Sequence, residues 1–247
     1  MSGKDSFSAK PVPLRLYLAG SGFCSRRKAT EIILAGQVTV NGNVQGEPSF
    51  LICPASDDVR VGRQRIEMSA KEYIVFNKPR NCVTTRSDPH AAKTVYDFLP
   101  ESLRRLHPVG RLDKDTEGLL LLTNDGSLTH ALTHPRKGVD KVYRVRIHGS
   151  LKPSARQMLE KGMPLEGRKT APAKIRHVQS EREHTVFEFV IHEGRKRQVR
   201  RMLERLGYPV VHLKRLAVGP IRLGGLKNGA YRRLRAAEME ALKKISA

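Results

Sequence analysis

The strongest chemical signal in the chain is HPVGRLDKDTEGLLLLTNDG, residues 107–126. An apolar run from Leu119 to Leu122 lies between Gly118 and an Asn124-Asp125-Gly126 turn, the pattern of a short buried strand that leaves one polar loop and enters another. Asp113 belongs to the first loop, so the core behind it would hold its carboxylate in place. If residues 111–113 are extended, side chains alternate, and Arg111 and Asp113 share a side around Leu112. A carboxylate kept ionised by nearby positive charge is a reactive group. Asp115 and Glu117, for which the sequence offers no partner, are expected to be solvated.

The second segment is HEGRKRQVRRMLERLG, residues 192–207. Val199, Met202, Leu203 and Leu206 recur at i, i+3, i+4 and i+7, which predicts an amphipathic helix ending at Gly207. At about 100° per residue, Arg197 and Arg201 fall on the solvent face, whereas Arg200 borders the apolar stripe and could reach into a cleft. Residues 191–215 hold eight Lys or Arg against two Glu, a net of +6, which suggests an electrostatic track for a phosphate backbone.

Both segments need a scaffold. YIVFNKP begins a strand at Tyr73 that Pro79 ends. KVYRVRI, 141–147, alternates with Tyr143, Val145 and Ile147 on one face, and TVFEFVI, 185–191, does the same with Phe187, Phe189 and Ile191. Half-buried strands with long connections predict an α+β body on a twisted, largely antiparallel sheet over 73–235. Before it, residues 14–68 read as a separate small module. SRRKATEIILAG forms a helix with Ser25 as N-cap and Gly36 as stop, and VTVNGNV and DDVRVGRQRI supply short strands. Arg26, Arg27 and Lys28 crowd that helix's first turn, unfavourable against the dipole unless a phosphate accepts from the free backbone N–H groups and pairs with the cations. Residues 1–12 look like a polar lead.

Composition narrows the partner. The 247 residues carry 46 Lys or Arg against 24 Asp or Glu, a formal charge of +22, which points to a polyanion. Cys24, Cys53 and Cys82 form no CxxC pair, so neither a disulfide framework nor a zinc knuckle is indicated. Gly20-Ser21-Gly22 lacks the third glycine of a dinucleotide loop, and His130 and His134 lack the companions of a metal site. No long apolar segment predicts a membrane span or a secretory leader. The expectation is an unsecreted protein without cofactor or metal.

At Gly110-Arg111-Leu112-Asp113, followed by Thr116, Gly118 and LLLLTNDG, the chain resembles a known family. Residues 73 to about 235 resemble the catalytic domain of ribosomal RNA pseudouridine synthases of the RsuA/RluB type, and RLYLAGSGFCSRRKATEIILAGQVTVNG resembles the S4 RNA-binding domain that commonly precedes it. NKP at 77–79, TTRSDP at 84–89, KVYRV at 141–145, EGRKRQVRRM at 193–202 and LKRLAVGPIRLGGL at 213–226 occur in the expected order. The resemblance implies an S4-like domain with a mixed, largely antiparallel sheet and flanking helices after it. It makes Asp113 the catalytic residue, which attacks C1′ of the target uridine or removes its C2′ proton. Tyr143 would pack against the base, and Arg200 would pair with Asp113. Arg111, Arg197 and, in the small domain, Arg26, Arg27 and Lys28 would bind RNA.

The implied reaction moves uracil from its N1 linkage to a C5 linkage on the same ribose, so it needs no redox cofactor, metal or energy source. The uridine must leave its stack to reach Asp113. The last two motifs lean toward large-subunit rRNA. The expected partner is ribosomal RNA or a pre-ribosomal particle, the expected state a monomer in the cytoplasm. The alternatives are the same reaction on small-subunit rRNA, a noncatalytic rRNA-binding or assembly factor, and a glycosidase, which would need a second carboxylate across the sugar.

Overall fold

A computed structural model describes residues 10–86, 88 and 92–246. Most of the polar lead and part of TTRSDP therefore lie outside the described residues. The chain divides into two compact units, one of residues 1–72 with 124–126 and the other of 73–123 with 127–247.

In the small unit, α1 (Leu14–Gly20) and α2 (Arg26–Leu34) pack beside short strands. Val12–Pro13 (β1) pairs with Leu51–Ile52 (β4), while a four-stranded sheet runs in the order Asn43–Val44 (β3), Val38–Val40 (β2), Val59–Val61 (β5), Gln64–Arg65 (β6). The expected helix is present: the Ser25 hydroxyl accepts from Lys28 N at 3.2 Å, and Gly36 takes the left-handed φ of +66° that stops the helix. Ala29, Ile32 and Ile33 turn inward onto Leu14, Leu18, Val38 and Val59. Arg26, Arg27 and Lys28 are left exposed, with Lys28 3.2 Å from Glu31.

The larger unit is built on a nine-stranded sheet whose main path is β13 (Lys174–Ser180), β14 (His184–Ile191), β10 (Lys141–His148), β15 (Val210–Val218), β9 (Glu117–Thr123), β7 (Tyr73–Lys78) and β17 (Tyr231–Arg233). β8 (His107–Pro108) adds to β9 and β16 (Ile221–Arg222) to β15. Along the path every pair is antiparallel except β9 with β15. The alternation read from KVYRVRI and TVFEFVI holds: Tyr143, Val145 and Ile147 share a core with Phe187, Phe189 and Ile191. The helix α5 (Gln198–Arg205) sends Val199, Met202 and Leu203 into the same core. A second core on Val75, Leu119 and Leu121 takes in Leu128 and Leu132 of α3 (Gly126–Thr133). Beyond residue 235 the chain continues as α6 (Ala236–Ser246), whose Leu242 is buried in that second core. α4 (Pro153–Lys161) and a small hairpin, β11 (Pro164–Leu165) with β12 (Arg168–Lys169), complete this unit.

Among the described residues no helix is long and apolar enough to cross a membrane.

Candidate active site

Asp113 lies in the loop before β9, and three groups hold that loop. Leu112 is buried and pins it to the core while Arg111 stays exposed. The Thr84 hydroxyl donates to Leu112 O at 2.9 Å and accepts from Leu112 N at 3.3 Å. Lys78, fully buried at the end of β7, donates through Nζ to Thr116 O at 2.9 Å and Pro79 O at 3.0 Å, and lies 3.5 Å from Lys114 O. Burial pushes the Lys78 pKa down, opposed by nearby groups that include Asp115 and Asp113. Thr116 N donates to Asp113 O at 3.1 Å and closes a turn, with Asp113 lining the cleft and Asp115 paired with arginines.

Asp113 lines a cleft of about 610 Å³ with Arg111, Tyr143, Lys141, Arg197 and Arg215. Tyr143 is only 8% exposed, its ring held by the core face of β10. Thr84, Gly110, Leu213 and the 193–199 segment also line the cleft.

Arg200 is 4% exposed, as its place at the border of the apolar stripe suggested, but its carboxylate partner differs from the expected one. Its Nε lies 3.1 Å from Asp115 Oδ2, an ion-pair contact without hydrogen-bond geometry, and its Nη2 donates to Asp115 O at 3.0 Å. Nη1 donates to Val210 O at 3.1 Å. Asp113 acts on Arg200 only as a weaker through-space charge. Burial lowers the Arg200 pKa, and the Asp115 charge opposes that shift.

Arg197 also departs from expectation. The helix starts at Gln198, and Arg197 is its N-cap in a left-handed conformation at φ 51°, so helical phase does not decide its direction. Its Nη1 is 3.0 Å from both oxygens of Asp115. Asp115 is therefore the shared carboxylate of two arginines, not a solvated control. Glu117 is likewise paired, with His212 Nε2 at 3.1 Å and Lys214 Nζ at 3.3 Å.

These pairs also reduce the expected +6 track. Asp115, shared by Arg197 and Arg200, Glu166, paired with Arg201, and Glu117, paired with Lys214, come from outside the segment and offset three of its six net charges, while Arg195 lies 3.4 Å from Glu193, which the +6 already counts. Much of the charge in 191–215 is neutralised locally and holds the loop together. Arg195 Nη2 donates to Lys169 O at 2.7 Å, and Gln198, buried, donates to Glu193.

Sequence reasoning missed Lys78, Thr84, Lys141, Gln198 and Arg215. Two carried a readable signal: Lys78 ends an apolar strand against Pro79, and Arg215 shares its strand parity with Leu213 and Ala217, both buried. Among the described residues no group of three or more His, Cys, Asp or Glu could hold a metal.

The larger unit is a nine-stranded mixed sheet with a loop-borne carboxylate over a cleft lined by several cations, an α+β class of catalytic domain preceded by a small helix-and-hairpin module, and comparison with known proteins gives the family. The family described as RNA pseudouridylate synthase matches residues 72–205, and the S4 domain matches residues 12–59. The chain belongs to the RNA pseudouridylate synthase family and carries an S4 domain. An uncharacterized RNA pseudouridine synthase of Aquifex aeolicus is 39% identical over 94% of this chain and 93% of its own. Ribosomal large subunit pseudouridine synthase B of Bacillus subtilis is 38% identical over 94% of this chain and 96% of its own. A crystal structure of a pseudouridylate synthase superposes with a TM-score of 0.68 at 32% identity, covering 94% of this chain and 99% of that one.

Proposed function

We propose that the protein isomerises one uridine of ribosomal RNA to pseudouridine, with the target in the large-subunit RNA. The observation that carries this reading is Asp113 on a doubly anchored loop, facing a cleft it shares with Tyr143 and Arg111. Support for the large-subunit target comes from the Bacillus subtilis relative, named for that subunit, and from the EGRKRQVRRM and LKRLAVGPIRLGGL motifs.

The flipped uridine packs its base against Tyr143, whose ring needs no reorganisation because the sheet holds it. Asp113 then attacks C1′ or takes the C2′ proton, freeing the base to turn and rejoin through C5. The anchored loop supplies the position the carboxylate needs for either step. Arg200 is a positioning residue: through Asp115 it ties α5 to the Asp113 loop. Arg111 and Arg197, on the cleft, and Arg26, Arg27 and Lys28, at the start of α2, contact the RNA backbone. The substrate is rRNA, free or in an assembling particle, met by a monomer in the cytoplasm.

The test is incubation with rRNA carrying tritium at uridine C5. Isomerisation releases the label without cutting the chain, and mapping the product on large- and small-subunit transcripts assigns the target. Asp113→Asn should release none while keeping RNA affinity. Turnover by that variant would refute the assignment, and binding without release by the native protein would leave only an RNA-binding factor.

A further inference from the structure

Arg215 borders the cleft but has no part in the chemistry described so far. In the register of β10 with β15 it stands opposite Tyr143, and residues directly opposite share a face of the sheet. The guanidinium therefore lies on the phenol's side, and the residue is only 4% exposed. Its Nε donates to Leu119 O at 2.7 Å, while Nη2 is buried with no hydrogen-bond partner among the described residues. None of the ion pairs among those residues involves Arg215.

The strand holds it firmly. Gly118 of β9 lies against the backbone of Arg215 at φ +105°, so closely that a Cβ there would sit 2.3 Å from Arg215 O. Beside it, Lys141 also lines the cleft and donates to Val139 O at 3.1 Å and His192 O at 3.2 Å. Burial lowers the Lys141 pKa, and the charge of Arg215 lowers it further. The Arg197 side of the cleft is neutralised by Asp115, whereas two neighbouring cations stand here on backbone carbonyls. Burying a cation with so few acceptors is costly unless a ligand supplies the missing one.

We propose that Arg215 is a catalytic residue that donates to a carbonyl oxygen of the target uracil and stabilises the negative charge the base acquires on leaving. This rests on the pseudouridine reading. When the C1′–N1 bond breaks, its electron pair stays on the base and spreads to O2 and O4. C1′ takes a bond from the Asp113 carboxylate, or C2′ gives Asp113 its proton. The turned base then attacks C1′ through C5 and displaces the carboxylate, or adds to the glycal as C2′ recovers its proton. C5 finally loses its proton and N1 gains one. A fixed cation at the base oxygens is stronger in the charged state than in the neutral substrate, which is the condition for lowering the barrier.

The experiment compares uridine with 5-fluorouridine at the target position of the rRNA in single turnovers, scored after digestion and chromatography as loss of the N1-linked nucleoside, because 5-fluorouridine has no C5 proton to lose and goes no further than C5 attachment. Fluorine withdraws electrons, so this base leaves more readily and depends less on the cation. Arg215→Met should slow uridine conversion by about 100-fold with RNA affinity unchanged, and the loss on 5-fluorouridine should be about tenfold smaller. Equal losses on the two bases, near-native rates, or a loss of affinity alone, as for a phosphate contact, would overturn the proposal. If Arg215→Met does not fold, Arg215→Lys is compared in the same way, with the same smaller loss required. Failure of the native protein on every rRNA would instead remove the pseudouridine reading.

Discussion

Asp115 shows how one carboxylate can organise a site without lining the cleft. It sits two positions from Asp113 in sequence, yet the turn at 113–116 hands it to Arg197 and Arg200 and leaves Asp113 on the cleft. Asp115→Asn would strand the buried Arg200. The expected cost is about 2 kcal/mol in urea unfolding, below the ~3–5 kcal/mol of a fully buried pair, because Asp115 stays 33% exposed. The label-release assay should fall with it. Lys78 gives a pH signature. Its folded pKa is lowered by burial, so between that value and the unfolded value of about 10.4 the unfolded chain binds more protons and stability rises with pH. Urea titrations at pH 8 and 10 should show this rise in the native protein and less of it in Lys78→Met; the same pH slope in both would exclude Lys78 as its source.

At the level of elements, the parallel contact of β9 with β15 fixes Arg215 beside the loop that carries Asp113. Arg215 pairs with Gly118 there, and a side chain at 118 would collide with backbone, not with a flexible tip. Gly118→Ala combines that collision with a strained positive φ. It should cost more than about 3 kcal/mol, measured by thermal unfolding, and a variant with native melting would show that the strands can separate freely. α6 contributes in a simpler way. Leu242 is fully buried in the second core, so Leu242→Ala should destabilise the larger unit by about 2–5 kcal/mol, readable in the same melts.

For the whole molecule, the charge of +22 is expected to act on affinity for a polyanion more than on chemistry. Local pairs absorb much of the 191–215 segment's charge, whereas Arg26 and Arg27 remain exposed at a helix start. Neutralising Arg26, Arg27 and Lys28 together should reduce the slope of log K against log salt by about 2, at roughly 0.7–0.9 per phosphate contact. Lys28 already has Glu31 and counts for less. Filter binding across a salt series measures the slope, and an unchanged slope would make these side chains ordinary solvated cations.

The sequence by itself determined what depends on local periodicity and chain order. The helix capped by Ser25, the alternation of Tyr143, Val145 and Ile147, and the apolar strand behind Asp113 all follow from neighbours within a few residues. Tertiary structure alone decided the pairings. Arg197 and Arg200 each lie more than 80 residues from Asp115 in sequence and meet it only because β9, β15 and α5 converge. Side-chain type states that an arginine needs an acceptor, and packing chooses among the acceptors within reach. That is why Asp115 took the place expected for Asp113, and why Arg215, read as one more basic residue, lies against the cleft floor.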